Sequence, residues 1–237
     1  MHRRDQRAAG WGDGARWYLG VRLGLALTVG AGTALLLVGD VDPMDQMLSD
    51  SVQSWPGAVL LAVAASALAA AGAWLQVGAR RELPRGGPLA PVLTVWCVAL
   101  LAVAVFPTNL PGTEPGLTAM IHRAAAALVA ALPPLFTLLI VRRIAMAGGD
   151  DDPGEDRGRP GSGKGRDGAG GGTGIRLLRV VGWGTAAACG LFALVNGPAV
   201  LAEQGLPPYA GLLERVLLVL VLLAVGLCGR LTHRVRR

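Results

Sequence analysis

TAMIHRAAAALVAALPPLFTLLIV, residues 118–141, decides the fold. Its only ionisable groups, His122 and Arg123, stand in the first turn. The rest is apolar and long enough, at 1.5 Å per helical residue, to cross a hydrocarbon core of about 30 Å. In lipid every backbone amide must find its partner within the segment, so such a run must be helical. Five further stretches read the same way: Trp17–Val38, Gly57–Gly78, Ala90–Phe106, Leu177–Val195 and Ala210–Gly229. The third, near 17 residues, is at the lower limit for a span. The expected fold is therefore all-α: an integral membrane bundle of six transmembrane helices.

Charge sets the threading. The N-terminus, the second and fourth connections and the C-terminal tail hold 18 of the 22 lysines and arginines, and Arg22 and Arg179 lie near the same ends of spans one and five. The first, third and fifth connections hold none, and Arg123 and Arg215 lie just inside the starts of spans four and six. Six spans with both termini cytoplasmic satisfy the positive-inside rule at every loop. This makes a multi-pass membrane protein with both ends on the cytoplasmic side the expectation. The net charge of +6 is thus a topogenic signal and a contact for anionic lipid heads. Membrane lipids are the expected partners. Nucleic acid is not, because no basic stripe carries interleaved aromatics. At 52% hydrophobic residues, the chain is too apolar for a typical soluble domain.

The domain order follows: a basic cytoplasmic tail over 1–16, spans one to four over 17–141, a linker over 142–175, spans five and six over 176–230, and a basic tail over 231–237. The linker is rich in Gly, Asp, Arg and Pro, without a large apolar residue between Met146 and Ile175. It cannot bury enough surface to offset its ordering entropy and is expected to be disordered. Its glycines do not form a phosphate loop, since no strand precedes them and no GK[ST] follows. The first span follows a basic n-region but is too long for a signal-peptide core and lacks an A-x-A site, so it is read as a retained anchor.

Local patterns refine the spans. Gly20 and Gly24 form a small-xxx-small pair that admits a close neighbour. Span two is nearly an alanine helix, suited to packing among other helices. Pro133-Pro134 removes two amide donors in mid-membrane and should kink span four. In the first outer connection, Asp42-Pro43 resembles an N-cap with proline at the first helical position. Met44, Met47, Leu48 and Val52 follow at helical spacing. A short outer interfacial helix is expected at Pro43–Gln53. Trp55 and Tyr209 suit the outer interface; Trp17, Tyr18 and Trp74 suit the inner one. Cys97, Cys189 and Cys228 lie in spans and read as small packing residues.

Polar groups converge on the outer ends: His122 and Arg123 on span four, Glu214 and Arg215 on span six, with acidic loops beside them. Ionisable groups in a span are costly and face the protein interior or water. A cross-helix pairing of Arg123 with Glu214 or Asp50 is the physical expectation. Such pairs either staple the helices or line an outward pocket for an anionic or zwitterionic head group or another small molecule. An enzyme using His122 with Asp50 or Glu214 on a lipid or envelope substrate is a further alternative, as is a small proton-coupled transporter. No carboxylate at mid-membrane depth supports the transporter. A zinc site cannot be assembled, because topology separates His2 and His233 from His122. No metal or other cofactor is expected, and catalysis less so than binding. Oligomeric state is not legible.

Several short motifs point to a family. Phe106-Pro107-Thr108-Asn109, then Gly116 and His122-Arg123-Ala124, resembles the bacterial membrane family known as domain of unknown function 998. So does Leu48-Ser49-Asp50 after the first span, and Gly211-Leu212-Leu213-Glu214-Arg215 opening the last. The resemblance covers about residues 17–230, with the linker as an insertion. It implies about six spans and no assigned activity, with recurring polar residues at Ser49, Asp50, His122, Glu214 and Arg215. The chain departs from the pattern at Asn109, where the family usually has aspartate; asparagine cannot act as a base. The composition is of an actinobacterial type.

Overall fold

The computed structural model describes the backbone of residues 2–38, 42, 44–48, 54–106, 108, 116–147, 168–201 and 207–235, and the side chains of these from 16 onward, except 168–171, 200 and 201. Six helices follow in order: α1 (His2–Val38), α2 (Trp55–Glu82), α3 (Leu89–Val105), α4 (Leu117–Ala147), α5 (Gly168–Leu201) and α6 (Ala210–Arg234). All but α3 are long and apolar enough to cross a membrane. The protein is an all-helical bundle of membrane helices, as composition required.

Side-chain pairings give the register. Gly24 of α1 lies on Ala67 and Ala71 of α2, while Gly78 near the end of α2 lies against Trp17 near the start of the span in α1. Gly72 faces Trp96, and Gln76 reaches Ala90 and Thr94, so α2 and α3 are antiparallel. Trp96 meets Val129, and Phe106 meets His122, which reverses the chain again into α4. Thr137 sits near Gly182 of α5 and Cys228 of α6, and Gly174 touches Leu231. Consecutive helices therefore alternate in direction, and α6 packs on α1, α2, α4 and α5.

The core runs from Trp17 and Val21 through Leu75, Trp96 and Phe136 to Val225. The small-residue pair in α1 works as its spacing predicts. A Cβ on Gly24 would come within 2.8 Å of the Ala67 carbonyl oxygen, so only glycine lets the two backbones approach. Thr28 Oγ1 continues the seam, donating to Gly24 O at 2.8 Å, with Ala64 O of α2 3.3 Å away. Alanine-rich α2 packs against three helices.

Helix α4 runs on past Pro133 and Pro134, both buried. Trp96 supplies a donor there: its indole N–H reaches the Val129 carbonyl at 3.2 Å. Trp17, expected at the interface, is 0% exposed; Gly78 opens the space into which its ring fits. His233 is part of helix α6 rather than of a tail, and it stacks on Tyr18 at 4.7 Å. Both margins of the 142–175 segment are helical, with α4 running to Ala147 and α5 opening at Gly168. Residues 148–167 lie outside the described residues, as does the disorder expected of them.

The surface helix expected at Pro43–Gln53 is not formed over Met44–Met47, which run as a turn and bend, while Leu48 is in 3-10 helical conformation. Pro43 and residues 49–53 lie outside the described residues. Asp42 does cap the start: its Oδ1 accepts from Met44 N at 2.8 Å and its carbonyl from Gln46 N at 3.0 Å. The next helical bond would join Leu48 N to Met44 O. Both groups are engaged elsewhere, by α6.

Candidate functional site

Helix α6 opens without a good N-cap. The residue in that position is Tyr209, in the left-handed region at φ 67°, and its side chain makes no capping bond. Bulky residues adopt this conformation at a cost of roughly 1–2 kcal/mol, and a helix start leaves amide donors to satisfy. The sequence PPYAGLLER offers no Ser, Thr, Asp or Asn to meet them. The connection after α1 meets them instead.

Four hydrogen bonds join residues 44–48 to residues 209–215. Tyr209 N donates to Asp45 Oδ1 at 2.9 Å, and Leu212 N to Met44 O at 3.0 Å. Arg215 Nη1 donates to Gln46 O at 3.0 Å. In the reverse direction, Leu48 N donates to Glu214 Oε2 at 2.6 Å. An acceptor-rich loop thus covers the positive end of a helix, as the helix dipole favours. Gly211 makes the contact possible: a Cβ there would overlap the Gln46 carbonyl and stand 2.6 Å from Arg215 Nη1.

Arg215 is left with a distinctive geometry. One nitrogen is fixed by Gln46, while Nε and Nη2 are buried without a hydrogen-bond partner among the described residues. Those two nitrogens form the edge of a guanidinium that takes carboxylate or phosphate in a bidentate grip.

His122 is placed differently. It is 5% exposed, and Nδ1 lies 2.7 Å from the carbonyl oxygen of Phe106, the C-cap of α3. A carbonyl only accepts, so Nδ1 carries a proton. The side chain closes the end of α3 and ties it to α4 across the intervening turn. Arg123, its neighbour, is exposed.

The expected site residues therefore separate. Glu214 and Arg215 come together on the first loop, at the acidic end of the bundle. Among the described residues, no bond joins Arg123 to Glu214. Ser49, Asp50 and Asn109 lie outside the described residues. Among the described residues, no group of three His, Cys, Asp or Glu side chains is placed to hold a metal ion. Two contributors to the contact of the first loop with α6 were not assigned a role there. Asp45 and Gln46 act through a cap and a carbonyl 160 residues or more away in sequence, which no local pattern announces. Buried Asn196 donates through Nδ2 to Phe192 O at 3.0 Å; as a lone amide in an apolar span it could have been marked.

Residues 10–150 match the family described as protein of unknown function (DUF998). The match spans more than half of the chain, from within α1 to just past α4, and includes His122 and Arg123. No curated protein and no solved structure matches the chain. The protein belongs to the DUF998 family.

Proposed function

We propose that this DUF998 protein is a non-enzymatic component of the bacterial cytoplasmic membrane whose acidic end faces outward and holds a phosphate-bearing anion at Arg215. The threading rests on charge. The connections at the end carrying residues 42–48 and 207–209 bear acids and no lysine or arginine, whereas the opposite end bears the basic excess. Residues 148–167 then act as a cytoplasmic tether between α4 and α5.

The observation that carries the reading is the paired Nε and Nη2 of Arg215, buried without a partner among the described residues. Buried donors left unsatisfied cost about 1–3 kcal/mol each. A phosphate oxyanion satisfies both at once, and the start of α6 adds favourable field. The anion is either a lipid head group or free phosphate.

Thermal unfolding of the purified full chain in neutral detergent tests this. One arm adds inorganic phosphate and the other dihexanoyl phosphatidylglycerol, each against chloride at matched ionic strength. The melting temperature should rise in at least one arm, and Arg215→Gln should abolish that rise. The arm that responds identifies the source of the phosphate. Equal responses of wild type and Arg215→Gln in both arms would overturn the reading.

A further inference from the structure

A groove of about 500 Å³ lies between α4 and α5 at the other, basic end of the bundle. We infer that it is a binding site for one acidic phospholipid, independent of the reading of Arg215. Arg142 of α4 and Arg179 of α5 line it, both exposed. Leu138 stands one helical turn before Arg142, and Trp183 one turn after Arg179. Because α4 and α5 run in opposite directions, both steps lead the same way, toward mid-membrane. The groove is therefore graded: two guanidinium groups at its mouth, and an indole and a leucine about 6 Å deeper.

That gradient matches a phospholipid. The phosphate meets the arginines, and the acyl chain lies along Leu138 and the exposed ring of Trp183. Among the described residues, no acidic side chain lines the groove to neutralise the cations. Arginine stems reach from apolar surface to head-group level, and basic pockets between membrane helices suit anionic head groups. A competing occupant is the chain's own Asp150-Asp151-Asp152 run, which begins three residues after α4 ends. Charge alone would suit that run, but it offers nothing for Leu138 and Trp183 to bury.

Lipid retention by the full chain decides between them. Protein is released for native mass spectrometry from nanodiscs of equal parts phosphatidylcholine and phosphatidylglycerol. Wild type should retain phosphatidylglycerol selectively. In an Arg215→Gln background, where no lipid held at Arg215 contributes, the double change Arg142→Gln with Arg179→Gln should lower that selectivity by a factor on the order of ten. A second measurement keeps both arginines: phosphatidylglycerol brominated on its acyl chains should quench tryptophan fluorescence more than its brominated phosphatidylcholine counterpart, and Trp183→Phe should remove the excess. Undiminished selectivity in the double variant would overturn the inference. So would a large gain in retention when Asp150–Asp152 become asparagine, because the acidic run would then be the native occupant.

Discussion

Trp96 of α3 donates its indole N–H to the carbonyl oxygen of Val129 in α4, the carbonyl that Pro133 leaves without a helical donor. In an uninterrupted helix that oxygen accepts from the amide four residues on, and proline has none. A neighbouring helix thus supplies the missing bond, as membrane proteins require where proline interrupts a span. Trp96 is fully buried, packed on Phe136 with ring centroids 5.1 Å apart, and Gly72 leaves room for it.

This pairing predicts non-additive energetics. Trp96→Phe should destabilise the bundle by about 1–3 kcal/mol through the orphaned carbonyl and lost volume. In a Pro133→Ala background the restored amide satisfies Val129, and the same change should cost about 1 kcal/mol less. A double-mutant cycle by reversible unfolding in denaturing detergent reads the coupling. Strictly additive costs would contradict the proposed partnership.

Gly211→Ala should undock the first loop. Its new methyl meets the Gln46 carbonyl and Arg215, and overpacking of this kind costs about 1–3 kcal/mol. A cysteine introduced at Ser54, just beyond the loop, reports the change through its reactivity toward a membrane-impermeant thiol reagent. Faster labelling in the Gly211→Ala background is expected; an identical rate would show that the loop does not depend on this contact.

His122→Ala should cost about 1–2 kcal/mol, because the Phe106 carbonyl loses its donor at the end of α3. Asparagine can present an amide N–H from a similar position, so His122→Asn should recover part of that loss. Thermal unfolding of the two variants makes the comparison. Equal tolerance of both would mean that the bond to Phe106 contributes little.

Arg123 is exposed, and Asp50, one of its two expected partners, lies outside the described residues. Arg123→Gln should change stability by no more than about 0.5 kcal/mol. A collapse in folded yield would instead reveal a partner for it.

Topology is open to a direct check. Reporters fused after Arg237, and thiol labels introduced between residues 148 and 167, should both register as cytoplasmic. Deleting 148–167 should leave membrane insertion intact. A periplasmic signal from either position would reverse the proposed orientation and place Arg215 in the other compartment.

Six apolar runs, their order and the unequal charge of their two ends could be read directly, because span length and loop charge are properties of contiguous residues. The close approach at Gly24 was legible for the same reason: its spacing is local. Glu214 and Arg215 could be marked as costly groups at a helix end, but their partners could not be named. Their bonds run to backbone atoms of Gln46 and Leu48, and a backbone atom leaves no trace in residue type. Over Met44–Met47 the expected helix after α1 does not form, for that reason. Its local pattern was sound, yet Met44 O and Leu48 N pair with α6, whose start lacks a cap of its own.

What the sequence alone determined is the class of molecule: the hydrophobic length of each helix and the charge that orients it are summed along the chain. The tertiary structure decided which polar groups are satisfied and which are left facing space. That outcome depends on atoms brought together from distant positions, as with Trp96 and Val129, or Asp45 and Tyr209. The open edge of Arg215 and the two arginines of the groove between α4 and α5 emerge only once the helices are packed.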